Sequence, residues 1–489
     1  MSSEIFSTIP PLSTIDEVQM AQMTTQESFT IEGQAKKGRM IEEGIRHRYE
    51  LERQKALRTL NVGDYPNRGD LERALDLLVQ PIKFKHIDLG DGRFVLIVEK
   101  GTDHFVPDTA THEDGPTRER PIYSVMVPAH YDTVPGENLV LERQGDKWSG
   151  LGVYDMGAAV LNGMALSVET KVPEGMKVYW VFTPDEEMTS RGARLLIEKW
   201  DRFREIDCVL SSEIGPLDPM RDGERHMRVI TARSGRHKFV GNITISPNFQ
   251  GHGALGNIPN ASDAVIELFM RMRDRFYSGY SDPRTPHLPH EPRLQKDHES
   301  LGKEQFETGV LQTVKRPGYF PPHAATFDFA LKTVPPTKIA EMEAVIKRIA
   351  KGIAKRGQWD MYGIQWDIET NPHAASYAPY SMPTGHRILG ITSEILQRVT
   401  GLAPQFVGAP SVADECDYAA AILALRNAGS FEGTNAGISN IPINGDLAHH
   451  PSEWVSRSDT ARVRHVVKLL LEHPQGLSRM FSAQNLPKI

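Results

Sequence analysis

The sequence is short of the features that several protein classes require. Only two cysteines, Cys208 and Cys416, occur in 489 residues, and neither belongs to a Cys-x-x-Cys pair. No disulfide framework can be built from them, and both are expected to be buried thiols. No apolar run approaches the length that crosses a bilayer, which excludes a membrane-spanning helix and a membrane partner of that kind. The first residues, Met1 to Phe6, lack the basic start and apolar segment of a secretion signal, so cytoplasmic residence is expected. Basic charge is also scarce: 56 Lys and Arg face 63 Asp and Glu, a net charge of -7. That balance argues against a nucleic-acid partner, because phosphate binding needs a basic surface. Internal repeats and low-complexity tracts are absent. A small or peptide-like substrate fits what remains.

The length exceeds what one hydrophobic core usually supports, so more than one domain is expected. Residues 1 to about 30 carry no sustained period and read as an arm, loose or laid across the surface. Gln34 to Leu60 and Asp70 to Val79 read as helices, Ile82 to Val98 as a hairpin around Gly90-Asp91-Gly92, and Thr102 to Pro121 as a loop. From Ile122 short apolar strands alternate with helices, which indicates a doubly wound, largely parallel α/β sheet. From about Arg236 the order becomes β-α-β-β-α-β, interrupted by a polar insertion from Ser281 to Glu304. The strand-and-helix rhythm then resumes. The expected organisation is an N-terminal arm, helical preface and hairpin (1–120), a first catalytic segment (121–235), an inserted module (236–371) and a second catalytic segment (372–489).

Five segments carry chemistry. Thr183-Pro184-Asp185-Glu186-Glu187-Met188 follows the strand Val178 to Phe182 and precedes a helix, so two adjacent carboxylates stand at a strand's C-terminal end, where ligands of such sheets gather. Their side chains diverge, so one can hold a metal ion while the other faces the water bound to it. His130 and Asp132 end another strand; imidazole suits zinc, and the carboxylate two residues on can fix its tautomer. Alone, His-x-Asp is a weak signal that fits a satisfied structural histidine better. Asp155, in the glycine-flanked turn Gly150 to Gly157, can cap the following helix or bridge two metal ions. Glu213 is a further acid at a strand end, and His449-His450 a late pair before the last helix.

Together these segments resemble the M20 family of metal-dependent peptidases and amidohydrolases, over most of the chain from about Ile122. The resemblance implies that His130 and Glu213 hold one metal, Glu187 and His449 the other, and that Asp155 bridges. Asp132 would then orient His130, and Glu186 would be the general base. His449 rather than His450 meets the family's His-x-Pro-x-Glu pattern through Pro451 and Glu453, with His450 as the alternative. Two divalent cations are implied; zinc leads because imidazole and carboxylate are mixed, and cobalt or manganese suits the same donors. Asp155, Glu187, Glu213 and a hydroxide would balance their charge. The inserted module would be a lid or dimerisation domain making a homodimer, and His252 in Gly251-His252-Gly253-Ala254 would reach the oxyanion. Ala330 and Lys332 replace the family's Asp-x-Arg, and the usual Gly-Gly-(Ser/Thr)-Asp is altered around Asp414, both in regions that touch substrate. Arg228, Arg233 and Arg236 read as a solvated basic hinge, or as anion binders.

The expected activity is hydrolysis of a peptide or N-acyl amide bond of an amino-acid or short-peptide substrate, by attack of a metal-bridging water. The alternative is an inactive metal- or amino-acid-binding protein of the same fold. A nucleotide-dependent oxidoreductase built on Gly150 to Gly157 is disfavoured, because the glycine spacing is wrong and no ribose-reading acid follows.

Overall fold

The computed structural model describes residues 9–23, 29–62, 82–101, 105–107, 119–121, 123–136, 141–215, 227–245, 260–276, 297–314, 322–356, 363–371, 374, 376–473, 476–478 and 480. Two compact units emerge. The first comprises Met1–Thr231, Met382–Val407 and Ala413–Ile489; the second comprises Ala232–Ser381 and Gly408–Val412.

In chain order, the first unit begins with helices α1 (Thr14–Met23) and α2 (Ile31–Val62) and strands β1 (Lys83–Asp88) and β2 (Phe94–Gly101). There follow β3 (Tyr123–His130), α3 (Ala158–Glu169), β4 (Met176–Thr183), α4 (Arg191–Lys199), β5 (Cys208–Ser211) and β6 (Arg228–Arg233), whose last two residues belong to the second unit. The second unit contains β7 (Gly235–Thr244), α5 (Ala261–Phe276), β8 (Gln305–Val314), β9 (Ala324–Thr333), α6 (Ile339–Arg356) and β10 (Gln365–Thr370). The first unit is completed by α7 (Arg387–Thr400), α8 (Asp414–Leu425), β11 (Gly437–Asn440) and α9 (Arg457–Glu472).

The main sheet runs β1-β2-β4-β3-β5-β11-β6. Its four central strands β4, β3, β5 and β11 are parallel, and the flanking strands are antiparallel. Sequence dictates that split. All eight residues of β4 are buried, as are all but Val127 of β3, the continuous apolar run that a parallel strand covered on both faces requires. α3 is apolar almost all round and buried from Ala158 to Val168, and α1, α2 and α9 all pack on it. Parallel β3, β4 and β5 therefore end side by side, and His130 pairs in register with Thr183.

The second unit is a four-stranded antiparallel sheet in the order β8-β9-β7-β10, with α5 and α6 packed on it. β7 alternates buried and exposed residues along its length, which suits a sheet with one covered face. The element order is β-α-β-β-α-β, with a small hairpin (Asp297–His298 with Gly302–Lys303) before β8.

Three expectations change. Part of the arm is helical and packed: residues 14 to 23 form α1, with Asp16 and Met20 fully buried. Its periodicity is weak because Asp16 is neutralised from a distance, by Arg48 at 2.6 Å and Arg464 at 3.0 Å. The loop before β3 is interrupted by an antiparallel pairing of Phe105–Pro107 with Glu119–Pro121. The arginines are not uniformly solvated: Arg236 is exposed, but Arg228 and Arg233 are buried, and Arg233 donates to the Ser411 hydroxyl at 2.8 Å. Both cysteines are buried. The helix expected over Asp70 to Val79 and most of the insertion from Ser281 lie outside the described residues.

Candidate metal centre

The sheet delivers the site at the strand ends. His130 is the last residue of β3, Glu186 and Glu187 follow β4, and Glu213 follows β5. Asp155 comes from the other side, in a π-turn over Val153–Gly157. This turn explains its glycines. Gly152 has φ +78°, and a Cβ there would lie 2.3 Å from Thr133 Cγ2; at Gly157 a Cβ would meet the Gly152 carbonyl oxygen at 2.5 Å.

Asp155 is the geometric middle. Its Oδ1 is 2.9 Å from His130 Nε2, and its Oδ2 is 3.1 Å from His449 Nε2. On the first side Glu213 Oε2 lies 3.9 Å from His130 Nε2; on the second Glu187 Oε2 lies 2.9 Å from His449 Nε2. One carboxylate thus faces two imidazoles, each with its own further acid. His449, half exposed and at φ +68°, has its Nε2 on Asp155 and Glu187, whereas His450 Nδ1 accepts from the Ser452 N–H. Of the two candidates it is His449 that the fold brings to Asp155.

Two further carboxylates hold this arrangement. Asp132, almost fully buried, accepts the backbone N–H groups of Glu186 and Glu187, each at 3.1 Å, and lies 3.5 Å from His130 Nδ1. Glu453, also buried, accepts the N–H groups of Gly152 (3.1 Å), Tyr154 (2.6 Å) and Asp155 (2.8 Å) and so fixes the π-turn. Ahead of the two glutamates, Asp185 sits at φ +70° and receives Arg93 Nη1 at 2.7 Å. Asp414, at the start of α8, accepts from the hydroxyls of Ser190 and Thr183.

The electrostatics are those of acids and histidines clustered in a buried place. Burial, then Asp155, push Glu187 up to about 7. Burial raises Asp414 and Glu453 to about 7 as well, and holds Glu186 well above the ordinary carboxylate range, with Glu187, Asp414 and Glu213 adding to it. Hydrogen bonds to Asp155 and Glu187 raise His449 to about 10. Burial opposes the charged form of His130, but Asp132, Asp155 and Glu213 outweigh it and raise its pKa well above the usual value. So many acids in one buried place favour bound positive charge, and protons fill that role when nothing stronger does.

The residues fit divalent cations. Ligand atoms of His130, Asp155 and Glu187 all lie within 4.8 Å of one another. Donors about 2.0–2.2 Å from a tetrahedral zinc stand roughly 3.3 Å apart, and the contacts of 2.9 to 3.9 Å bracket that spacing. Glu187 Oε1 is buried with no hydrogen bond, a polar atom that a cation would satisfy.

Of the candidates, His130, Asp132, Asp155, Glu186, Glu187, Glu213 and His449 come together; His252 lies outside the described residues. Sequence reading took Glu453 only as part of a pattern and missed its role, since its three partners lie about 300 positions away. Arg93 was missed altogether. Lys332 is half-buried on β9 of the second unit, its pKa lowered by burial.

The chain is similar to many solved structures. An M20 family metallo-carboxypeptidase from Sulfolobus solfataricus aligns over 95% of this chain and 100% of its own, with 11% identity and a TM-score of 0.56. Human carnosine dipeptidase 1 aligns over 94% and 98%, with 12% identity and a TM-score of 0.54. A tripeptidase from Staphylococcus aureus aligns over 94% and 98%, with 9% identity and a TM-score of 0.58. At these identities the likeness is one of fold. No curated protein matches the sequence. The family model for peptidase family M20/M25/M40 matches residues 126–473, a span that contains every strand-end candidate described above. The chain belongs to that peptidase family and is a metallohydrolase.

Proposed function

We propose that the protein hydrolyses a peptide or N-acyl amide bond of a small, amino-acid-derived substrate at a centre of two divalent cations, zinc being the first candidate. The observation that carries this reading is Asp155, with one carboxylate oxygen toward His130 and the other toward His449. In this reading His130 and Glu213 would hold one ion, His449 and Glu187 the other, and Asp155 would serve both. When bound, such a pair supplies Lewis acidity and lowers the pKa of water towards neutrality. Asp132 orients the His130 ring and aims the two glutamates through their N–H groups. Glu186 receives the proton of the attacking water and hands it to the departing amine. A buried carboxylate with a raised pKa suits both steps, because its affinity for the proton approaches the working pH. His252 enters as the oxyanion donor on sequence alone.

A homodimer through the second unit belongs to the same reading. Its outer strand β8 leaves Val310 and Val314 exposed at a sheet edge, a surface that invites another strand. No described helix is long and apolar enough to cross a membrane.

The test is Glu186→Ala, assayed on a panel of dipeptides and N-acyl amino acids with metal content measured in parallel. The variant is expected to keep its metal and lose about 100- to 10,000-fold in kcat. Equal turnover would remove Glu186 as the base.

A further inference from the structure

Glu186 and Glu187 lie on the loop that joins β4 to α4, and Asp185, just ahead of them, ties that loop together. Its carbonyl oxygen accepts the N–H groups of Thr189 (3.1 Å) and Ser190 (2.7 Å), and its Oδ2 accepts the Thr189 hydroxyl. Its φ of +70° is a conformation that a residue other than glycine keeps only when its surroundings hold it. Outside the loop it is held by Arg93, which donates from Nη1 to Asp185 Oδ1 at 2.7 Å. The rest of that buried guanidinium is equally committed. Nη1 also donates to Gln34 Oε1 at 3.0 Å, and Nε and Nη2 grip the two carboxylate oxygens of Asp91 at 2.7 to 3.2 Å. Asp91 in turn accepts Arg191 Nη1 at 3.0 Å, and Arg191 Nη2 donates to the Leu89 carbonyl. The turn between β1 and β2 therefore meets the chain on both sides of the two glutamates.

The β1–β2 hairpin supplies none of the metal-site candidates and precedes the residues that the family model matches. A hairpin turn has no need of a buried arginine for its own sake, and burying that charge is costly unless each of its donors is answered. We infer that Arg93 is a positioning residue for the hydrolysis: its ion pair with Asp185 fixes the loop so that Glu186 and Glu187 stand where the reaction needs them. This inference rests on the proposed roles of those two glutamates and adds to them a part for the hairpin. Without Arg93, Asp185 loses its outside hold and the two residues that follow it are freer to shift. A displacement of about 1 Å at a reacting group can cost about 100-fold in rate. Lysine would keep the charge without the planar fork that spans Asp91 and Asp185.

The experiment uses the full chain with Arg93→Met, Asp185→Asn and the double variant, all saturated with Zn2+. Folding is checked by circular dichroism, and kcat and KM are measured per folded molecule on whichever dipeptide or N-acyl amino acid the wild type cleaves. Arg93→Met and Asp185→Asn are each expected to lower kcat about 10- to 100-fold with KM little changed. The double variant is expected to lose no more than the worse single one, because both substitutions cut the same link. Wild-type kcat in a folded Arg93→Met protein would overturn the inference, and so would losses that multiply in the double variant. If Arg93→Met does not fold, Arg93→Lys takes its place in the same cycle, and wild-type kcat there would overturn the inference. If the wild-type chain binds no Zn2+, Co2+ or Mn2+, or if Glu186→Ala turns over at the wild-type rate, it is the proposed function that fails.

Discussion

The two interiors of this chain are built on opposite rules. Between the sheet and helices of the second unit the core is aromatic and aliphatic: Phe239 stacks on Phe329 at 4.9 Å, and Phe306, Phe327, Phe269 and Trp366 close around them. Among the described residues from 239 to 370 the one buried charged side chain is Glu304, which accepts from the Thr337 hydroxyl at 2.5 Å. The first unit buries His130, Asp132, Asp155, Glu213, Asp414 and Glu453. An apolar core gains stability from every contact it makes, whereas clustered like charges lower it unless something of opposite sign arrives. The second unit is therefore built for stability, and the first gives some of it up to keep a place for cations.

Several measurements can break that contrast. The largest effect is expected at its charged pole. Asp155→Ala removes the carboxylate common to both halves, so both ions should be lost and turnover should fall below that of Glu186→Ala, as read by metal analysis and kinetics. One retained ion with partial activity would mean that Asp155 does not bridge. At the apolar pole, Phe329→Ala should destabilise the protein by about 3–5 kcal/mol through the cavity it leaves. Its metal content at 25 °C should not change; a loss of metal would show that the two interiors are not independent.

Acidity provides a subtler test. Glu187, Asp414 and Glu453 rise to about 7 when folded, from ordinary values of 4.5, 3.8 and 4.5. Between those limits the folded metal-free chain holds more protons than the unfolded one, so stability falls as pH rises through that window. His449, raised from 6.5 to about 10, adds stability that is fully present below about 6.5 and lost towards 10. The contribution of these four groups to metal-free stability should therefore fall from about pH 4.5 to 7 and again towards 10, against an opposite contribution from His237, lowered to about 4 by burial. Stabilisation by metal should grow with pH over the lower window, because cations bind only the deprotonated ligands. Calorimetry with and without Zn2+ reads both slopes, and parallel curves would contradict the assignment.

The legibility of the molecule follows the same divide. β3 and β4 announce themselves as continuous apolar runs, so the acids and histidine at their ends were readable as a site. The second unit's strands and helices were readable from their alternation and periodicity. β11 was not: Gly437-Ile438-Ser439-Asn440 is four residues long and half polar, and only its place beside β5 makes it a central strand. α1 was hidden because its buried Asp16 is answered by arginines far along the chain. The support given by Glu453 and Arg93 was invisible for the same reason. A buried charge looks like a surface charge until its partner is located.

The most direct test of the account is a crystal structure of the wild-type protein with Zn2+, read by anomalous scattering. The account predicts two peaks, one beside His130 and Glu213 and one beside His449 and Glu187, with Asp155 touching both. A single peak, or two that do not share Asp155, would contradict it.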